Sequence, residues 1–253
     1  MHPPSFLRTN PSQWSALVAR IILSWWGMVY LGAIALVMAL SPSSYRRANR
    51  VIAARHIYAS TWRVLPWFTL LSTLVSMVLI RIVVVTALSY GLSRYALEMV
   101  VRVLVLELIP LSAALFVALR AGLVSQADAQ GVGELRRNLA PQVLANAFAV
   151  LTLAMVSSVI VLVLAYLSVY GFSPWGLGDY TRTVGRVFDP TVTIGFGLKT
   201  VFFGLAVAVI PTASLIEAQR YGRRADATVQ PGAVRLLLVL VLIEGLSLAV
   251  KYI

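Results

Sequence analysis

No cysteine occurs anywhere in the 253-residue chain. That excludes a disulfide framework, a thiolate metal site and a cysteine nucleophile. Histidine is almost as scarce: His2 and His56 are the only two, far apart in sequence, so an imidazole metal site or a Ser-His-Asp relay has little to draw on. Charged residues make up 12% of the chain, against about 25% in soluble domains. Acidic residues are the scarcer sign, with 9 Asp or Glu against 21 Lys or Arg and a net charge of +12. A Walker A loop is also missing. Gly195-Phe196-Gly197-Leu198-Lys199-Thr200 ends in Lys-Thr but lacks the glycine spacing that cradles phosphates, so any ATP would be bound by another chain. Ser157 and Ser158 lie within an apolar run with no base to activate them, and are read as bonding back to the preceding helical turn. No constellation supports an intramembrane enzyme, and no cofactor is implied.

What the chain does contain is apolar. Hydrophobic residues reach 60% and the mean hydropathy is +0.87, which excludes disorder and points to a polytopic membrane protein. An isoelectric point near 10.7 would suggest nucleic acid in a soluble domain. In a membrane chain it is read first as loop charge that sets orientation, and no nucleic-acid partner is expected.

Six apolar runs follow from the charge pattern. Residues 21–45 and 138–178 carry no charge; 64–93 carry only Arg81, 103–119 only Glu107, 191–216 only Lys199, and 232–253 carry Arg235, Glu244 and Lys251. A helix needs about 20 apolar residues to cross the hydrocarbon core. In lipid the backbone must satisfy itself, and the alternation of a membrane barrel is absent, so the runs predict helices. The fold class is all-α: five transmembrane helices preceded by an N-terminal interfacial or re-entrant helix, or six spans if residues 14–40 also cross. Trp14, Trp25 and Trp26 suit an interfacial position, and no cleavable signal is read at the N-terminus. Residues 1–63 then form an N-terminal interfacial or elbow region with a basic cytoplasmic segment, and 64–253 the transmembrane domain. Pro66, Pro141 and Pro231 mark helix starts, where a missing N–H costs nothing. Pro110 and Pro211 fall inside spans and predict kinks.

Basic residues divide unevenly between the two sides. Arg46, Arg47, Arg50, Arg55, Arg63, Arg120, Arg136, Arg137, Arg220, Arg223 and Arg224 flank one set of loops; Arg94, Arg182, Arg186 and Lys251 flank the other. Eleven against four places the first set in the cytoplasm.

Four charges stand within or at the edge of the apolar runs: Arg81, Glu107, Lys199 and Glu244. A mid-bilayer charge costs about 2.5–3.5 kcal/mol on insertion scales, so such residues pair with one another or line a pathway. Two readings stay open: a helix-to-helix ion pair, for example Arg81 with Glu107, or a cavity in which Arg81 meets an anionic lipid head group. Glu98 and Arg102, four apart, predict a local helix pair. Arg102 and Arg235 lie nearer helix ends and are read as snorkelling. Ala114, Ala118 and Gly122 recur every four residues; such a small-residue face permits close helix approach, within the chain or between subunits.

Four stretches resemble the MlaE/YrbE permease family, the membrane subunits of bacterial ABC systems that move lipids with MCE-domain proteins. Arg55-His56-Ile57-Tyr58 resembles the family's Arg-Gln-Leu-Tyr entry, and Glu107-Leu108-Ile109-Pro110 its Glu-Leu-Gly-Pro. Asp189, then Gly197-Leu198-Lys199-Thr200-Val201-Phe202-Phe203-Gly204, resembles its Asp and Gly-Leu-Ile-Lys-Ser-x-x-Phe-Gly. Ala227-Thr228 through Ala233-Val234, then Glu244, resembles its Ala-Thr-Thr-x-Ala-Val and late acidic residue. Together they cover roughly residues 50–253 in the family's order, and the Gly-Leu-Lys-Thr stretch is the most specific. Arg81 stands where the family usually has glycine, and Ile109 replaces the glycine of Glu-Leu-Gly-Pro. The 123–141 connection is short by about fifteen residues, several turns of helix.

The resemblance implies a multi-pass protein of the bacterial inner (cytoplasmic) membrane, working as a transport subunit and not as an enzyme. It implies three partners: an ATP-binding cassette ATPase, an MCE-domain protein, and a second permease copy, as homo- or heterodimer, around a lipid cavity. Glu107 and Lys199 carry over by motif. The ATPase-coupling loop would fall on Gln126, Asp128, Gly131, Gly133, Glu134, Arg136 and Arg137. Two other readings remain: a structural permease-like subunit without its own ATPase coupling, and an ion or proton channel built on Arg81, Glu107 and Glu244.

Overall fold

In a computed structural model of the protein, the described residues are 58–62, 64–127, 132–220 and 231–252, with Tyr30 and Ala33 as isolated positions; over 59–60, 93–94, 121–127, 132–143, 215–220, 231 and 251–252 only the backbone path is described. The expected N-terminal helix therefore lies largely outside the described residues, as do Asp128 and Gly131 of the expected coupling loop. Every regular element among the described residues is helical.

A short π-helical turn at Tyr58–Trp62 leads into α1 (Leu65–Ser89). Pro66 occupies its first turn, where the absent N–H has no partner to lose. A tight turn through Gly91, at φ +71°, reverses the chain; a side chain is strained at that angle, and glycine is not. Then α2 (Ser93–Val100) passes through a π-helical segment, Val101–Leu108, into α3 (Ile109–Ala127). The 39-residue α4 (Val132–Tyr170) follows. A second reversal at Gly171, φ +65°, and a 3-10 turn at Pro174–Gly176 lead to the short α5 (Leu177–Val187). The chain ends in α6 (Pro190–Arg220) and α7 (Pro231–Tyr252).

Five stretches are long and apolar enough to cross a bilayer: Leu65–Ser89, Tyr95–Arg120, Leu144–Tyr170, Pro190–Ser214 and Gly232–Val250. They match five of the six runs read from sequence. Lipid explains their composition, since a helix with apolar residues on every side belongs in a core or a membrane. Leu70, Leu74, Val78 and Val85 on α1, and Leu238, Val241, Leu242 and Leu246 on α7, are exposed, as lipid-facing surface should be.

The central pair is α4 against α6. α3 packs on both, α1 packs on α4, and α7 packs on α6. The closest approach falls at Gly204, where an added Cβ would lie 2.8 Å from the Ala147 Cα. Only glycine lets α4 and α6 come that near. Gly232 works similarly between α6 and α7: a Cβ there would meet the Ser214 side chain. Val150, Leu153 and Phe203 are fully buried at the centre of the bundle.

Two expectations are corrected. Pro141 does not start a helix: α4 already begins at Val132, so Pro141 lies inside it. It precedes the span that begins at Leu144, where water can take the carbonyl its ring leaves unpaired. Pro211 lies inside α6, as read from the sequence, and the helix continues through it to Arg220. Ser157 and Ser158 are buried, yet their Oγ atoms have no hydrogen-bond partner among the described residues, so neither bonds back to the preceding turn.

The connection that follows the Gly171 reversal includes α5. Tyr180 of α5 sends its hydroxyl back to donate to the Leu162 carbonyl of α4 at 2.8 Å. Its ring meets Tyr166 edge-on at 5.1 Å. Burial pushes the Tyr180 phenol up to about 12.

Candidate functional site

The Glu107-Leu108-Ile109-Pro110 stretch shapes the site. Pro110 has no N–H to give the Leu106 carbonyl four residues back. The helix widens just there, and the Ile109 N–H bonds to Leu104 O, five residues earlier. π-helical turns are rare and concentrate at functional sites. Sequence alone predicted a kink at Pro110; the structure shows a widened turn ahead of it.

Lys199 of α6 reaches into that turn. Its side chain is 3% exposed, and Nζ donates to Leu106 O at 3.2 Å. Nζ also donates to Glu107 Oε2 and stands 2.8 Å from Glu244 Oε2. It lies 5.8 Å from the Phe203 ring centre, within cation–π range. One ammonium thus ties together three spans: Glu107 from the second, Lys199 from the fourth and Glu244 from the fifth. A buried lysine is tolerable only when its charge and donors are matched. Glu107, the Leu106 carbonyl and the Phe203 face do so here, with Glu244 as a second acidic neighbour.

The four sequence-flagged charges therefore separate. Glu107, Lys199 and Glu244 come together. Arg81 does not join them: it is exposed on α1, and the Arg81–Glu107 pair is not the one formed. Glu98 and Arg102 form the expected local pair at 2.9 Å. Ala114 is fully buried inside the chain and Ala118 packs partly against the core; Gly122 lies in α3, where only the backbone path is described. The coupling-loop residues divide as well. Gln126 falls in the last turn of α3, and Gly133, Glu134, Arg136 and Arg137 fall on the helical backbone at the start of α4. Sequence reasoning passed over Gly204 as a packing position, although it closes the most specific motif.

Between α1 and α3 lies an apolar crevice of about 230 Å³, whose walls include Phe68, Ser72, Ser76, Ile109, Ser112 and Phe116. Ligand pockets usually run about 300–1,000 Å³. The crevice is too small for a whole two-chain lipid, and its lining suits hydrocarbon.

A helical bundle of five membrane-crossing segments, apolar on its outside and cross-tied by buried charge, defines a multi-pass membrane protein. The sequence model of the family described as Permease MlaE matches residues 53–250, and the chain belongs to that permease family. No curated protein and no solved structure matches the chain significantly. Family membership makes the protein a transport subunit of the ABC-permease kind.

Proposed function

We propose that the chain is one half of the membrane conduit of a bacterial inner-membrane phospholipid transporter, powered by a separate ATP-binding cassette ATPase and coupled to an MCE-domain protein. The observation that carries the reading is the Lys199 cluster. The two motifs shared with lipid permeases, Glu107-to-Pro110 and Gly197-to-Gly204, meet at one point, Lys199 Nζ on Glu107. A shared fold with no shared mechanism gives no reason for these particular motifs to converge.

The cluster also gives a mechanical element. Ion-paired across three spans, it makes α3, α6 and α7 respond together when force enters from the cytoplasmic end. The helical start of α4 at Val132 and the last turns of α3 form the surface on which an ATPase would press. The small crevice supports a second permease copy, since a conduit for a whole lipid needs walls from more than one chain.

A channel is the weaker reading, because Glu107 and Glu244 are engaged with Lys199 and do not line an open path. A scaffold without its own ATPase coupling draws support from the closeness of α3 and α4 in sequence, Ala127 to Val132. The deciding experiment is identification of the subunits in a gently solubilised complex. An ATPase, an MCE-domain protein and a permease copy support the proposal. A chain that purifies with none of them would reduce it to the fold.

A further inference from the structure

Arg81 is the unexplained charge of the bundle. It sits in α1, eight residues before Ser89, so its Cα lies about 12 Å below that end of the helix. It is exposed and has no hydrogen bond or ion pair among the described residues. Leu74, Val78, Val85 and Leu88 continue its stripe above and below at helical spacing, all exposed. A guanidinium is therefore set in a wholly apolar, outward-facing strip.

Snorkelling is hindered by geometry. The Cα–Cβ bonds of a helix tilt toward its N-terminus, so the Arg81 side chain starts out pointing away from the nearer end, toward the middle of the span. A charge so placed requires a counter-charge.

Among the described residues the spans do not provide one. Three carboxylates lie within the five spans: Glu98 is held by Arg102, and Glu107 and Glu244 by Lys199. A second copy of this chain would bring the same engaged groups. The stripe is also a poor seat for another helix, because Leu, Met and Val side chains keep backbones apart where close packing needs small residues. Bulky aliphatics around one guanidinium suit acyl chains around one phosphate, an anion that arginine grips with two parallel hydrogen bonds.

We propose that Arg81 is a specificity-determining residue that binds the phosphate of an anionic lipid below the surface of the membrane, selecting lipids whose phosphate is not neutralised by an ammonium of their own. This rests on the lipid-permease reading above and names the substrate class within it.

The test uses the full chain reconstituted in bilayers containing equal phosphatidylglycerol and phosphatidylcholine, with lipid retention read by native mass spectrometry. Wild type retains phosphatidylglycerol over phosphatidylcholine. Arg81→Ala lowers phosphatidylglycerol retention about tenfold, the worth of a hydrogen-bonded charge, and leaves phosphatidylcholine unchanged. Arg81→Lys, which keeps the charge without the fork, recovers part of the preference and controls for folding. Equal loss of both lipids, or an unchanged preference, overturns the proposal. So does release of a neighbouring polypeptide from Arg81→Ala with lipid preference intact, which would make a protein carboxylate the mate. If wild type retains neither lipid, the permease reading fails as well; retention without headgroup preference overturns the Arg81 assignment alone.

Discussion

Pro110 withholds an N–H from the Leu106 carbonyl, and Lys199, 93 residues beyond Leu106 and on another span, donates to that same carbonyl at 3.2 Å. A missing backbone donor thus becomes part of a binding site for a side-chain ammonium. The relationship explains why the proline and the lysine belong to one arrangement although they stand in separate motifs.

Pro110→Ala restores the absent donor. The segment Val101–Leu108 then tends toward ordinary helix, and the new N–H competes with Lys199 for the Leu106 carbonyl. The expected outcome is a protein whose melting temperature holds or rises while ATP-driven lipid transfer falls about tenfold, roughly one hydrogen bond to a charged group. Paired thermal-melt and transfer assays check it.

Lys199→Met leaves two carboxylates in the bundle without their cation. Breaking a buried ion pair on one side costs about 3–5 kcal/mol, whereas replacing the whole set with neutral groups is far milder. Lys199→Met should therefore be strongly destabilised in detergent unfolding, and adding Glu107→Gln with Glu244→Gln should restore much of the loss. A triple variant less stable than the single would show that the cluster does not act as a unit.

Gly204 sits where α4 and α6 come closest, with a potential Cβ 2.8 Å from the Ala147 Cα. Gly204→Ala pushes the two helices apart and should cost about 1–3 kcal/mol. The same change at Gly197, whose Cβ position meets nothing within 4 Å, should leave stability nearly unchanged. Comparing the two melts isolates contact from helix propensity.

Tyr180 carries a pH signature. Burial raises its phenol to about 12 from 10.0, so the neutral form is favoured in the folded state. Its contribution is complete below pH 10.0 and is lost as pH rises through about 12. Tyr180→Phe, which deletes the hydrogen bond to the Leu162 carbonyl, should cost about 1 kcal/mol at neutral pH and flatten the stability profile across that window. Phenolate absorbance of the two proteins, followed during alkaline titration, provides the measurement.

The spans were readable because bilayer thickness acts on consecutive residues: a run of 19 or more apolar side chains declares itself without any knowledge of its neighbours. The pairing of Glu107 with Lys199 was not, because it depends on α3 packing against α6, a contact between residues 92 apart in sequence. Composition flagged both residues as costly, yet an Arg81–Glu107 pair was equally compatible with it. The π-helical turn was half visible, since Pro110 announces a disturbance but not its form. α5 was missed because a short helix anchored by Tyr180 and Val187 carries too few apolar residues to stand out from a polar loop. Pro141 misled for a related reason: proline marks a helix start only on average, and beyond the membrane a helix can run through it.

The proposed transporter moves lipid with energy from a partner chain. Its most direct measurement is transfer of a fluorescent phospholipid out of proteoliposomes containing the isolated complex, with and without hydrolysable ATP. The expected result is transfer that requires hydrolysis and falls about tenfold in Pro110→Ala, whose stability is retained. Transfer indifferent to ATP, or a bilayer conductance with no lipid movement, would contradict it.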